Sequence, residues 1–202
     1  MNKHAGRLLA AVAIAALPVT LALAQTGQQP QMTPEQKAEM EAYMKAGTPG
    51  AQHKALASSV GSYTLTVKSW HEPGGPAMEE PGTAERTMIL DGRVLVEKVS
   101  SSMMGMPFMG HGMTGYDNVT GKWWSTWNDS MSTGVMVSEG TCDAQAKNCT
   151  FTGSWMDPIK KTEVKARMTT KWTSPTTEVF EMHGPGPDGK EMKMMEITYT
   201  KK

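Results

Sequence analysis

The stretch Thr162-Glu163-Val164-Lys165-Ala166-Arg167-Met168-Thr169-Thr170-Lys171-Trp172-Thr173 decides the fold. Val164, Ala166, Met168 and Trp172 fall at alternate positions, with Glu163, Lys165, Arg167 and Lys171 between them. A period of two with one apolar side is the pattern of a strand that rests one face on a core. Turn chemistry bounds the stretch on both sides: Asp157-Pro158 precedes it, and Pro187-Asp188-Gly189 follows the next run. Pro-Asp-Gly favours a type I turn closed by a glycine bulge, which is a hairpin signal. The same punctuation recurs upstream at Pro73-Gly74-Gly75-Pro76, Asp91-Gly92 and Asp117-Asn118 with Gly121.

Runs between these turns number about ten, near residues 62–72, 83–91, 93–103, 108–117, 122–131, 133–142, 149–157, 161–173, 176–183 and 190–201. Nearly every connection is of hairpin length, and no helix interrupts the series. A long antiparallel meander leaves two open edges unless it closes. The expectation is a mainly β protein, a single up-and-down antiparallel barrel of about ten strands, occupying residues 61–202.

Ahead of the strands, residues 33–60 read as one or two short helices. Thr33 is placed as N-cap, Pro34 at the first helical position and Gln36 as the partner in a capping box. Met40, Tyr43 and Met44 form one stripe ending at Gly47; Leu56 and Val60 serve a second piece after Thr48-Pro49-Gly50. Helices this short need a larger body to pack on.

Residues 1–24 have the order of an export signal: Lys3 and Arg7, an apolar run Leu8–Leu23 broken by Pro18, then Ala22-Leu23-Ala24 before Gln25. The run is about 16 residues against the roughly 20 that a spanning helix needs. Cleavage there predicts a periplasmic or secreted protein with no membrane anchor, and residues 25–32 form a flexible leader. Cys142 and Cys149 are the two cysteines of the 202-residue chain and flank a polar loop between two strand runs. In an oxidising compartment they are expected to close as a disulfide, worth about 2.5 kcal/mol for so short a ring.

The whole chain has 20 basic and 20 acidic residues. Loss of Lys3 and Arg7 with the signal leaves a slight acidic excess, which argues against nucleic acid as a partner. Several strings stand out: His53-Lys54-Ala55-Leu56 before Val60-Gly61, Met104-Gly105-Met106-Pro107-Phe108, Gly115-Tyr116-Asp117-Asn118, Ser125-Thr126-Trp127, Ser138-Glu139-Gly140-Thr141, and Gly186-Pro187-Asp188-Gly189-Lys190-Glu191 with Met194-Met195-Glu196-Ile197-Thr198-Tyr199-Thr200. Together they resemble an exported bacterial family, domain of unknown function 1579. The resemblance spans about residues 50–202, implies one barrel-like domain and supplies no catalytic residue. At the level of architecture, a short helix followed by Gly61-Ser62-Tyr63 also resembles calycin-type barrels such as lipocalins, fatty-acid-binding proteins and nitrobindin-like proteins, without their first-strand Trp.

Three kinds of chemistry are open. The first is a small apolar or amphipathic ligand inside the barrel. Trp123 and Trp127 share one strand face, Met192 and Met194 share another with Glu196, and Val135 and Val137 share one with Glu139, so that Glu196 or Glu139 would orient the ligand. The second is a soft metal such as Cu(I), held by Met104, Met106, Met109, His111 and Met113 across a hairpin turning at 105–108. Haem on His111 or His183 is a weaker form of the same idea. The third is oxidant sensing or scavenging by the 19 methionines. Nothing in the spacing of His53, His71, His111 and His183 defines a zinc site or a nucleophile–base pair, and Gly-x-Ser-x-Gly is missing. The reading is therefore of a non-catalytic binding protein.

Overall fold

The computed structural model describes residues 32–202. The signal segment and the leader through Gln31 lie outside the described residues. The chain opens with α1 (Pro34–Gly47) and α2 (Ala51–Ala57) and continues as ten strands. These are β1 (Gly61–Ser69), β2 (Met78–Ile89), β3 (Val94–Met103), β4 (Met106–Asp117), β5 (Lys122–Asp129), β6 (Met136–Cys142), β7 (Asn148–Met156), β8 (Glu163–Trp172), β9 (Thr177–Pro185) and β10 (Glu191–Lys201). Each pairs antiparallel with its sequence neighbour, and β1 pairs with β10, so the meander closes. Closure removes both sheet edges, as the run of hairpin-length connections requires.

The capping box at Thr33 forms as read: its hydroxyl accepts from the Gln36 N–H at 3.2 Å, and the Gln36 side chain accepts from the Thr33 N–H at 2.9 Å. The packing expected of this helix does not form. Met40, Tyr43 and Met44 are 49%, 73% and 65% exposed, and no α1 residue is buried. Among the described residues, only its C-terminal end is tied down, by Asn118 Nδ2 to the Ala46 and Thr48 carbonyls and by Arg93 Nε to the Gly47 carbonyl. In α2, the shorter helix, Leu56 does the packing. It is buried with Leu95, Trp123, Phe151 and Met168 and closes one end of the barrel, while Val60 remains exposed. His53 supports that seating, because its Nδ1 accepts from the Gly50 N–H at 3.1 Å and its ring meets Tyr116 edge-on.

Cys142 and Cys149 face each other across β6 and β7 as a register pair and are joined as a disulfide at this same end. A second core group, Tyr63, Leu65, Ala84, Val99 and Tyr199, fills the wall formed by β1, β2, β3 and β10. Among the described residues, no helix is long and apolar enough to cross a membrane.

Candidate functional site

The barrel interior is only partly filled. A cavity of about 730 Å³ runs from the α2 end towards the opposite rim, a size suited to one small organic ligand. Its wall is mostly aromatic and aliphatic: Phe108, Trp123, Trp127, Phe151, Trp155, Trp172, Phe180, Met136, Met168, Met182, Met195 and Ile197 all contribute. At the far rim the lining includes Val135 and Met156, which are 51% and 62% exposed, so the cavity reaches solvent there. Gly110 and Gly112 make room for the Trp127 ring, since a Cβ on Gly110 would sit 2.2 Å from it.

One compact polar group interrupts this wall. Arg86 reaches from β2 into the interior, and its side chain is almost wholly buried. Its Nε donates to Glu97 on β3 and its Nη1 to Glu178 on β9. Tyr199 donates its hydroxyl to the other Glu97 oxygen at 3.2 Å. The guanidinium carbon lies 4.9 Å from the Tyr63 ring centre and 4.4 Å from that of Tyr199, within cation–π range. Burial alone would make the guanidinium easier to deprotonate. The adjoining Glu97 and Glu178 charges outweigh that and hold its pKa well above the ordinary arginine value. Burial, and then the Glu97 charge, pushes the Tyr199 phenol well above its usual range. Tyr63 is raised too, by burial, against the opposing pull of Arg86.

Of the residues singled out from sequence, Trp123 and Trp127 line this cavity, as do Cys142 and Cys149. Glu196 does not. A bulge between Lys193 and Met195 adds one residue to β10, so Met195, Ile197 and Tyr199 turn inward and Glu196 turns out. A period of two carried through a bulge is wrong by one residue beyond it. On the outer wall Glu196 accepts from Lys193 at 2.6 Å, and Glu181 accepts from the same ammonium at 2.8 Å. Those hydrogen bonds raise the Lys193 pKa, and the one from Lys193 lowers that of Glu181. Met192 and Met194 sit before and within the bulge and are not part of the lining; the Met194 sulfur lies close to Gly184. Glu139 is 64% exposed and accepts from Lys122 at 2.7 Å.

The methionine hairpin turns two residues earlier than expected, at Met104-Gly105, with Met103 paired to Met106. Strand parity then puts Met106 on the side of Phe108, whereas Met109, His111 and Met113 share the opposite, outer side of β4. Met104 and Met109 are each 66% exposed. The structure thus gathers three of the five proposed soft ligands on one strand face and separates the other two from them. Neither His111 nor His183 belongs to the cavity wall.

Arg86, Glu97, Glu178 and Tyr199 were not singled out from sequence. A signal for them exists: Ala84-Arg86-Met88, Leu95-Glu97-Val99 and Glu178-Phe180-Met182 each put one charge on an otherwise apolar strand face.

Residues 48–201 match one family model, described as a protein of unknown function, DUF1579. No curated protein matches the sequence at a significant level. Among solved structures, the chain is similar to Rv2717c from M. tuberculosis, with 11% identity, a TM-score of 0.58, and coverage of 76% of this chain and 98% of that one. An S-type phycobiliprotein lyase, CPES from Guillardia theta, aligns with 13% identity and a TM-score of 0.49, covering 78% of this chain and 95% of its own. The first likeness shows a shared β-barrel fold, and fold alone does not carry function.

Proposed function

The chain belongs to the DUF1579 family, and we propose that this member is a non-catalytic carrier or sensor of one small amphipathic molecule held inside the barrel. The observation that carries the reading is the cavity of about 730 Å³ with an aromatic and methionine wall and one buried ionic group. Apolar surface supplies affinity in such a site, and a few fixed polar groups supply orientation. Orientation is assigned to Glu97, Glu178 and Asp129, the carboxylates that line the cavity. Trp123 and Trp127 keep the role of wall residues.

The same reading places the protein outside the cytoplasm. The amino-terminal 24 residues have the composition of a cleavable signal, and the Cys142–Cys149 disulfide suits an oxidising compartment. Native mass spectrometry of protein purified from its own host without added ligand tests both parts. The expected result is a chain beginning at Gln25, two protons light, carrying a bound organic mass. An uncleaved chain would overturn the export reading. A bare chain that also fails to take up any amphiphile would overturn the carrier reading.

A further inference from the structure

The charge of the cavity wall specifies the ligand more narrowly than its apolar character does. Among the described residues, the charged side chains of the lining are Arg86, Glu97, Asp129 and Glu178, with no lysine or histidine beside them. One base against three acids gives the wall a formal charge of −2. Lys147 lies over the ring of Trp172 at the closed end and is not itself part of the lining.

Arg86 would be the natural receptor for a ligand carboxylate, but it is already engaged. Glu97 takes its Nε and Glu178 its Nη1, with Nη2 pointing to the second Glu178 oxygen at 3.5 Å. Its guanidinium also stands against the Tyr63 and Tyr199 rings. Three of its five N–H donors are taken, so an incoming carboxylate could reach only leftover Nη hydrogens and would set a third negative charge beside a single positive one. That excess of negative charge is costly in a low-dielectric interior. The two glutamates keep acceptor capacity, because each carboxylate offers about four lone-pair directions. Glu97 is the more open of the two, at 16% side-chain exposure against 6% for Glu178. Asp129 adds an acceptor on the same wall; it holds the Trp127 indole N–H at 3.0 Å and the Met131 N–H at 2.9 Å.

We infer that the cavity selects amphiphiles bearing a protonated amine and rejects those ending in a carboxylate, with Glu97 as the principal acceptor and Asp129 as a second. This rests on the carrier reading above and narrows it to a ligand class.

The test uses the mature protein and three probes with one ten-carbon chain: decylamine, 1-decanol and decanoate. Binding is followed by indole fluorescence near neutral pH. The amine is expected to bind on the order of tenfold more tightly than decanoate, with the alcohol between them. Glu97→Gln should cut the amine-to-carboxylate preference severalfold. Asp129→Asn, which leaves the buried ionic group intact, should cut it by a smaller factor and serves if the Glu97 variant does not fold. Equal or tighter binding of decanoate, or a preference unchanged in both variants, would overturn the charge selection and leave the carrier reading standing. Failure of all three probes to bind would overturn both.

Discussion

Arg86 on β2 and Glu178 on β9 are joined through the barrel interior although β1 and β10 stand between their strands. The link crosses directly in front of Tyr63 and Tyr199, which those intervening strands contribute. It ties two distant parts of the meander together, and Glu97 extends it to β3.

Removing the base should therefore be expensive. In Arg86→Met, Glu97 and Glu178 lose their counter-charge, and breaking one partner of a buried ionic group costs about 3–5 kcal/mol. Urea unfolding should show a loss of that order. The triple change Arg86→Met, Glu97→Leu, Glu178→Leu should recover most of it, because no uncompensated charge remains. A single variant as stable as the parent would mean that the group is solvated and energetically idle.

Alkaline titration probes the same region through its phenols. Burial raises the pKa of Tyr199 strongly and that of Tyr63 less, above the ordinary tyrosine value of about 10. When the folded pKa exceeds the unfolded one, the associated stability is complete below the unfolded value and declines as pH climbs through the folded value. The tyrosinate absorbance of these two groups should accordingly appear late, in step with loss of structure. Tyr63→Phe with Tyr199→Phe should abolish the late phase; a late phase that persists there would assign it elsewhere.

Gly110 holds Trp127 in place by having no side chain. A Cβ there would lie 2.2 Å from the indole, too close to be accommodated without displacing the ring. Gly110→Ala should cost about 1–3 kcal/mol, the usual range for overpacking. It should also alter the near-ultraviolet circular dichroism of the indoles. An unaltered spectrum with unaltered stability would show that Trp127 is not wedged.

Replacing both cysteines by serine tests the staple. The eight-residue ring closed by Cys142 and Cys149 should contribute about 2.5 kcal/mol. Because the pair lines only the closed end of the cavity, beside Leu56 and Phe151, ligand affinity should fall by less than stability does. A larger effect on binding than on stability would place the disulfide in the ligand's path.

The barrel was legible because its information is local. Thr162–Thr173 alternates cleanly, the turns carry Gly, Pro and Asp, and the short connections leave a closed meander as the simplest arrangement. The tryptophans of β5 were legible for the same reason. Glu196 was not, because an inserted residue at Met194 is invisible to a period-two reading and reverses every face after it. The Arg86 group was hidden for a different reason. Its members lie on β2, β3, β9 and β10, and only closure brings β9 and β10 round to β2. Val94, Leu95 and Val96 are all buried, which also blurs the face that would have exposed Glu97 as an inward charge. Helix α1 shows the limit of amphipathic reading, since its apolar stripe is present and uncovered.

The carrier reading stands or falls on whether the cavity itself takes the ligand. Thr114 lines it from β4, and Thr114→Phe would fill part of it with an aromatic ring while leaving the Arg86 group untouched. Titration of parent and variant with 1-decanol, read by indole fluorescence, is the most direct measurement. Saturable one-to-one binding by the parent, weakened roughly tenfold or more in the variant at an unchanged or higher thermal midpoint, is the predicted result. Equal binding by both proteins would place the ligand outside the barrel and contradict the account.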